Sequence, residues 1–159
     1  MRKFCVAAIC LAFCILFVGR SADALPDFKK AFDEKYTKES DNEEFKKAVK
    51  DQGCNVCHIK GKNKKERNAY GNALADLIEG DAQKRIKDAG DKAAQDKEKA
   101  KLVEEFKKAL EKVEEMKIDE EKEDSETYGA RLKDHKLPVE PSADDAAAKD
   151  EDADADSEK

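Results

Sequence analysis

From Leu25 onward the apolar side chains recur three and four residues apart, and no stretch alternates apolar with polar residues or concentrates β-branched ones. That spacing is the period of a helix face, so an all-α body is expected. Phe28, Phe32 and Tyr36 follow Pro26 at four-residue steps and put three rings on one face of a first helix. Phe45, Ala48 and Val49 mark a short second helix that starts from Ser40 or Asp41 and stops at Gly53. Tyr70, Ala73, Leu74, Leu77 and Ile78 define a third, which Gly80 ends. Asp81 to Ala100 offers Ile86 as its single large apolar residue and reads equally as a solvated helix or a linker. Leu102, Val103, Phe106, Ala109, Leu110, Val113 and Met116 then form the stripe of a long helix. After a charged break over Asp119 to Asp124, Tyr128, Leu132 and Leu137 make a last apolar set that Pro138 closes. Tyr128-Gly129-x-x-Leu132 repeats Tyr70-Gly71-x-x-Leu74, the pattern expected of two similar helix starts on opposite sides of one ligand.

The chain begins with Arg2 and Lys3, an unbroken apolar run from Phe4 to Val18, and small residues at Ala22 and Ala24. This is the form of an export signal, expected over 1–24 with cleavage before Leu25, and the run is shorter than the roughly 20 residues a membrane span requires. Cleavage leaves no membrane span and places the mature chain in the periplasm or otherwise outside the cytoplasm. It also removes Cys5, Cys10 and Cys14, so the mature chain keeps only Cys54 and Cys57, too few for a disulfide framework.

Charge is unevenly distributed. Of 32 basic and 38 acidic side chains, nine acidic residues and two lysines lie between Val139 and Lys159, which leaves the body close to neutral. That last stretch has no large apolar residue beyond Val139, cannot bury enough surface to offset its ordering entropy, and is expected to be a disordered acidic tail over 139–159. The body, 25–138, is itself sparing in apolar material: 44% of the chain is charged and tryptophan is absent. Small domains so composed usually need a staple beyond their own core.

Cys54-Asn55-Val56-Cys57-His58 offers one. Two cysteines three positions apart on a helical turn can reach the two vinyl groups at one edge of a porphyrin, and the histidine directly after them can ligate the iron as its proximal ligand. One covalent haem c attached at Cys54 and Cys57, with His58 on the iron, is the expectation. A structural zinc site needs four ligands, and beyond these three residues only His135 remains, distant in sequence. A thioredoxin-like dithiol belongs in a βαβ pattern that is missing here. Met116, the single methionine after the leader, is the candidate distal ligand, although at helical spacing it also reads as core. His135, a lysine, water or an open position stay as alternatives. Lys60, Lys62, Lys64, Lys65 and Arg67 follow the motif as a basic cluster that would steer an acidic redox partner. Nucleic acid is a poor match, because the chain is acidic overall and the cluster lacks interleaved aromatic residues.

At Cys54-Asn55-Val56-Cys57-His58, the basic loop, and Arg67-Asn68-Ala69-Tyr70-Gly71-Asn72-Ala73-Leu74, the sequence resembles small exported c-type cytochromes of planctomycete bacteria. The resemblance covers roughly Phe45 to Ile78, extends more weakly to Tyr128–Pro138, and leaves the middle and tail uncovered. It implies a small cytochrome c-like helical domain and electron transfer, with Cys54 and Cys57 as thioether attachment points and His58 as axial ligand, and it supplies no distal ligand. The expectation is therefore a monohaem electron carrier with an unidentified redox partner and no enzymatic turnover. The rival is a haem protein with an open sixth position, acting in ligand binding, sensing or peroxidase-like chemistry.

Overall fold

A computed structural model describes residues 25–140. The expected leader over 1–24, and all of the expected tail beyond Glu140, lie outside them. The described chain is helical: α1 Pro26–Tyr36, α2 Glu43–Gln52 running into a 3-10 turn Gly53–Val56, α3 Ala69–Asp76, α4 Ala82–Asp88, α5 Lys92–Val113 and α6 Tyr128–Lys133. Among the described residues there is no strand, only the isolated antiparallel bridges His58–Arg67 and Lys117–Thr127. None of the described helices is long and apolar enough to cross a membrane.

α5 is the spine. Its 22 residues extend over about 33 Å, and α1, α3 and α4 all pack on it. The face it presents is the expected stripe, with Leu102, Phe106, Ala109, Leu110 and Val113 buried. α1 answers with Ala31 and Phe32, and Phe28 stacks on Phe106 with ring centroids 4.3 Å apart and planes nearly parallel. Polar groups fix the far end of this contact: the Tyr36 hydroxyl donates to Glu114 Oε1 at 2.8 Å and lies 3.1 Å from the Leu110 carbonyl oxygen. α2 adds Phe45 and Val49, α3 adds Tyr70, Ala73 and Leu74, and α6 adds Tyr128 and Leu132, closing one continuous cluster. Phe32 is 1% exposed, and truncating a buried aromatic of this kind costs about 3–5 kcal/mol.

Local differences from the expected pattern have local causes. The N-cap of α2 is Asn42, whose side chain accepts the Phe45 amide, while Ser40 accepts the Asn42 amide one step earlier. α2 does end at Gly53, which takes φ +52. α3 closes at Asp76 rather than near Gly80, whose φ of +68 belongs to the turn that follows. The ambiguous Asp81–Ala100 stretch is helical on both sides of a break at Gly90, each helix capped by an aspartate, Asp81 and Asp91. Ion pairs take the place of apolar burial there. The Arg85 guanidinium bonds Glu98 at 2.7 Å and Glu105 at 2.6 Å, which ties α4 to α5.

The two Tyr-Gly-x-x-Leu segments do begin similar helices, α3 and α6. Their tyrosine rings meet directly, Tyr70 and Tyr128 lying 5.0 Å apart. In both, the glycine is required by close approach. A Cβ on Gly71 would fall 1.9 Å from the Cys57 carbonyl oxygen, and one on Gly129 would fall 2.6 Å from the Glu114 carbonyl oxygen.

Candidate functional site

The cysteine motif lies where α2 ends. Gly53 releases the chain into a tight turn in which the Cys57 and His58 amides both donate to the Cys54 carbonyl, at 3.2 and 3.1 Å. Cys54 and Cys57 are free thiols. Cys54 is exposed, whereas Cys57 packs against the core cluster, and burial pushes its thiol up to about 12. A thiol so placed stays protonated at neutral pH and is a poor nucleophile by itself.

Asn68, outside the cysteine motif, holds this turn against α3. Its side-chain amide donates to the carbonyls of Asn55 (3.1 Å) and Val56 (3.0 Å), while its Oδ1 accepts the Gly71 amide and caps α3. Its own amide donates to the Cys57 carbonyl at 3.1 Å. One side chain and its backbone thus pin three consecutive residues of the motif. The signal for it was an asparagine placed two residues before Tyr70, a residue type that commonly caps helices.

His58 begins an antiparallel excursion that returns at Arg67, with Ile59 donating to the Glu66 carbonyl at 3.2 Å. Its ring is half-buried, and Nδ1 is shut off from solvent without a hydrogen-bond partner. Burial lowers its pKa and the neighbouring charges of Arg67 and Lys64 act in the same direction, while the Glu66 carbonyl opposes them. The neutral imidazole that results is the form able to bind a metal ion.

Beside His58 is a cavity of about 120 Å³ lined by Val56, Ile59, Asn68 and, across from them, Leu137, Pro138, Val139 and Glu140. The far wall is a strap that Arg131 fastens, through Nε to the Leu137 carbonyl at 2.7 Å and through the guanidinium to Glu140 at 2.6 Å. Within the strap, Pro138 is fully buried. The donor set has the types a covalently held porphyrin needs, two free thiols at the required spacing and an adjoining imidazole with an unsatisfied buried nitrogen; of the three residues only His58 lines this cavity, whose wall mixes apolar side chains with Gln52, Asn55, Lys60, Asn68 and Glu140. Enclosed room is short. A cavity of roughly 150 Å³ holds one benzene ring, so a macrocycle is not surrounded unless the strap opens.

Met116 and His135 are placed elsewhere. Met116 follows α5, packs half-buried against the core, and accepts the Tyr128 amide at its carbonyl; it does not line the cavity. His135 is exposed, takes φ +57 in the turn after α6, and meets Phe45 edge-on at 5.7 Å. No group of three or more His, Cys, Asp or Glu side chains converges in a metal-holding arrangement among the described residues. In comparisons with protein-family models, curated proteins and solved structures, nothing matches the chain.

Proposed function

We propose that the chain is an exported monohaem c-type cytochrome that carries electrons, with haem c attached through Cys54 and Cys57 and its iron bound by His58. The observation that carries the reading is the coincidence, in one short turn, of two unpaired thiols and a half-buried imidazole whose Nδ1 has no partner. When bound, the haem supplies one-electron chemistry through iron that alternates between two oxidation states. The protein's part is to attach, orient and shield. Asn68 fixes the backbone that presents both cysteines, Val56 and the Leu137–Val139 strap exclude water, and burial keeps His58 neutral for ligation. The basic loop after His58 recruits an acidic redox partner.

A second reading, an open sixth position serving ligand binding or peroxidase-like chemistry, is favoured by the placement of Met116 and His135 away from the cavity. Carbon monoxide added to the reduced protein separates the two. A carrier with two protein ligands leaves the visible spectrum unchanged, and Met116→Ala then opens the iron to carbon monoxide. Immediate binding by the unaltered protein contradicts the carrier with Met116 as ligand and supports the open site.

A further inference from the structure

The basic loop and the point where the acidic C-terminal segment departs are walls of the same cavity, Ile59 and Lys60 on one side, Val139 and Glu140 on the other. The loop carries Lys60, Lys62, Lys64, Lys65 and Arg67 against a single acid, Glu66. Lys62, Lys64, Lys65 and Arg67 are exposed, and none of these four is ion-paired among the described residues. Ile59, 43% exposed, is the one large apolar side chain exposed among the described residues, and it stands at the base of this loop. The 19 residues that follow Glu140 contain eight carboxylates and two lysines. At about 3.4 Å per residue they span up to about 65 Å, many times what is needed to reach a loop that shares a cavity with Glu140.

We propose that Pro141–Lys159 binds back onto the Ile59–Arg67 loop of its own chain and occupies the surface an acidic partner would use. Tethering is what favours this occupant over an acidic partner free in solution. A short linker gives an effective concentration in the millimolar range, so individually weak surface ion pairs suffice to keep the loop covered. The other acidic stretch, Asp119–Glu126, is a weaker competitor because its charges are partly engaged, Asp119 with Lys122 and Glu126 with Arg131. Arg131 also holds Glu140 and so fixes where the segment departs. The docking does not depend on haem; only its consequence, competition with a redox partner, rests on the proposed function.

Lysine reactivity tests it on the full chain. Acylation of Lys62, Lys64 and Lys65 by an amine-reactive ester, followed by peptide mass spectrometry, is compared with a variant in which the six tail aspartates become Asn and Glu151 and Glu158 become Gln. In low salt the three lysines should react about three- to tenfold more slowly in the unaltered chain, in proportion to the free fraction of the loop. The difference should vanish near 0.5 M salt, where the screening length is only a few ångströms. Carbodiimide coupling should then join these lysines to tail carboxylates within monomer-sized protein. Equal rates in the two chains, or protection and coupling that increase with protein concentration, overturn the proposal, the latter because the tail would be reaching another copy.

Discussion

The segments Cys57–Leu74 and Met116–Leu132 are built on one plan and carry opposite chemistry. Each leaves a half-buried residue packed on the core, makes an excursion closed by one antiparallel bridge, and re-enters through a side-chain cap into a helix whose tyrosine and glycine pack inward. In each the amide beginning the return donates to a carbonyl of the outgoing strand, Asn68 to Cys57 at 3.1 Å and Tyr128 to Met116 at 3.0 Å. The first excursion holds five basic residues and follows a cysteine pair and histidine. The second holds Asp119, Glu120, Glu121, Glu123, Asp124 and Glu126 against two lysines, Lys117 and Lys122, and has no cysteine or histidine. Shared features therefore belong to folding, and the unshared ones, Cys54, Cys57, His58 and the lysines, are where function is to be sought.

The sharpest test of that division is the paired glycines. Gly71→Ala drives a methyl group into the Cys57 backbone and should cost about 3 kcal/mol, with Gly129→Ala costing somewhat less because its contact is looser and involves the Glu114 side chain as well as its carbonyl. Denaturant titration measures both. If Gly71→Ala were the milder change, the two units would not be the structural equivalents described above.

The caps come next. Asn68→Ala removes an N-cap and strands two carbonyls of the cysteine turn, so about 2 kcal/mol is expected, against about 1 kcal/mol for Thr127→Ala, which caps α6 by one bond to Ala130. Asn68→Asp keeps the cap but not the two donated bonds and should fall between them. Equal losses for Asn68→Ala and Thr127→Ala would mean that the bonds to Asn55 and Val56 contribute nothing.

Within the first unit, the two thiols themselves differ. In haem-free protein, iodoacetamide should alkylate exposed Cys54 at least about tenfold faster than Cys57, whose buried thiol has its pKa pushed up to about 12. Peptide mapping after a short pulse reads this directly, and similar rates would contradict the inward placement of Cys57.

The smallest effect lies outside both units. Arg85 holds the Glu105 carboxyl below its ordinary range, so the folded chain binds that proton less readily than the unfolded one. The stabilisation is present above the unfolded carboxylate pKa and is lost as pH falls through the lowered folded value. Glu105→Gln should flatten the acid limb of stability against pH slightly without altering alkylation of Cys54.

Which parts were legible in the sequence follows from the range of the forces involved. Helix faces such as Phe28-Phe32-Tyr36 and Leu102-Phe106-Leu110-Val113 repeat within a few residues and announce themselves. The sequence points to a cap of α2 one or two residues before the actual one, Asn42, because Ser40, Asp41 and Asn42 are all good caps and only the backbone decides among them. α4 and the first half of α5 have little apolar stripe, since Arg85 with Glu98 and Glu105 does the joining, and such pairs leave no periodic trace. At the site, Cys54, Cys57 and His58 fall within five consecutive residues, a spacing that is legible in the sequence alone. The strap Leu137–Glu140 opposite His58, and the hold of Asn68 on Asn55 and Val56, depend on long-range packing that no local pattern encodes.

The central claim is covalent haem at the cysteine pair, and the pyridine haemochrome spectrum of protein exported from cells equipped with a c-type haem-attachment system tests it most directly. The account predicts a c-type band that survives acid-acetone extraction, weakens in Cys54→Ala and in Cys57→Ala, and persists in Gly129→Ala protein that remains folded. Protein that leaves the same cells folded and without haem would contradict it and leave Cys54, Cys57 and His58 as a thiol or metal site on a small helical scaffold.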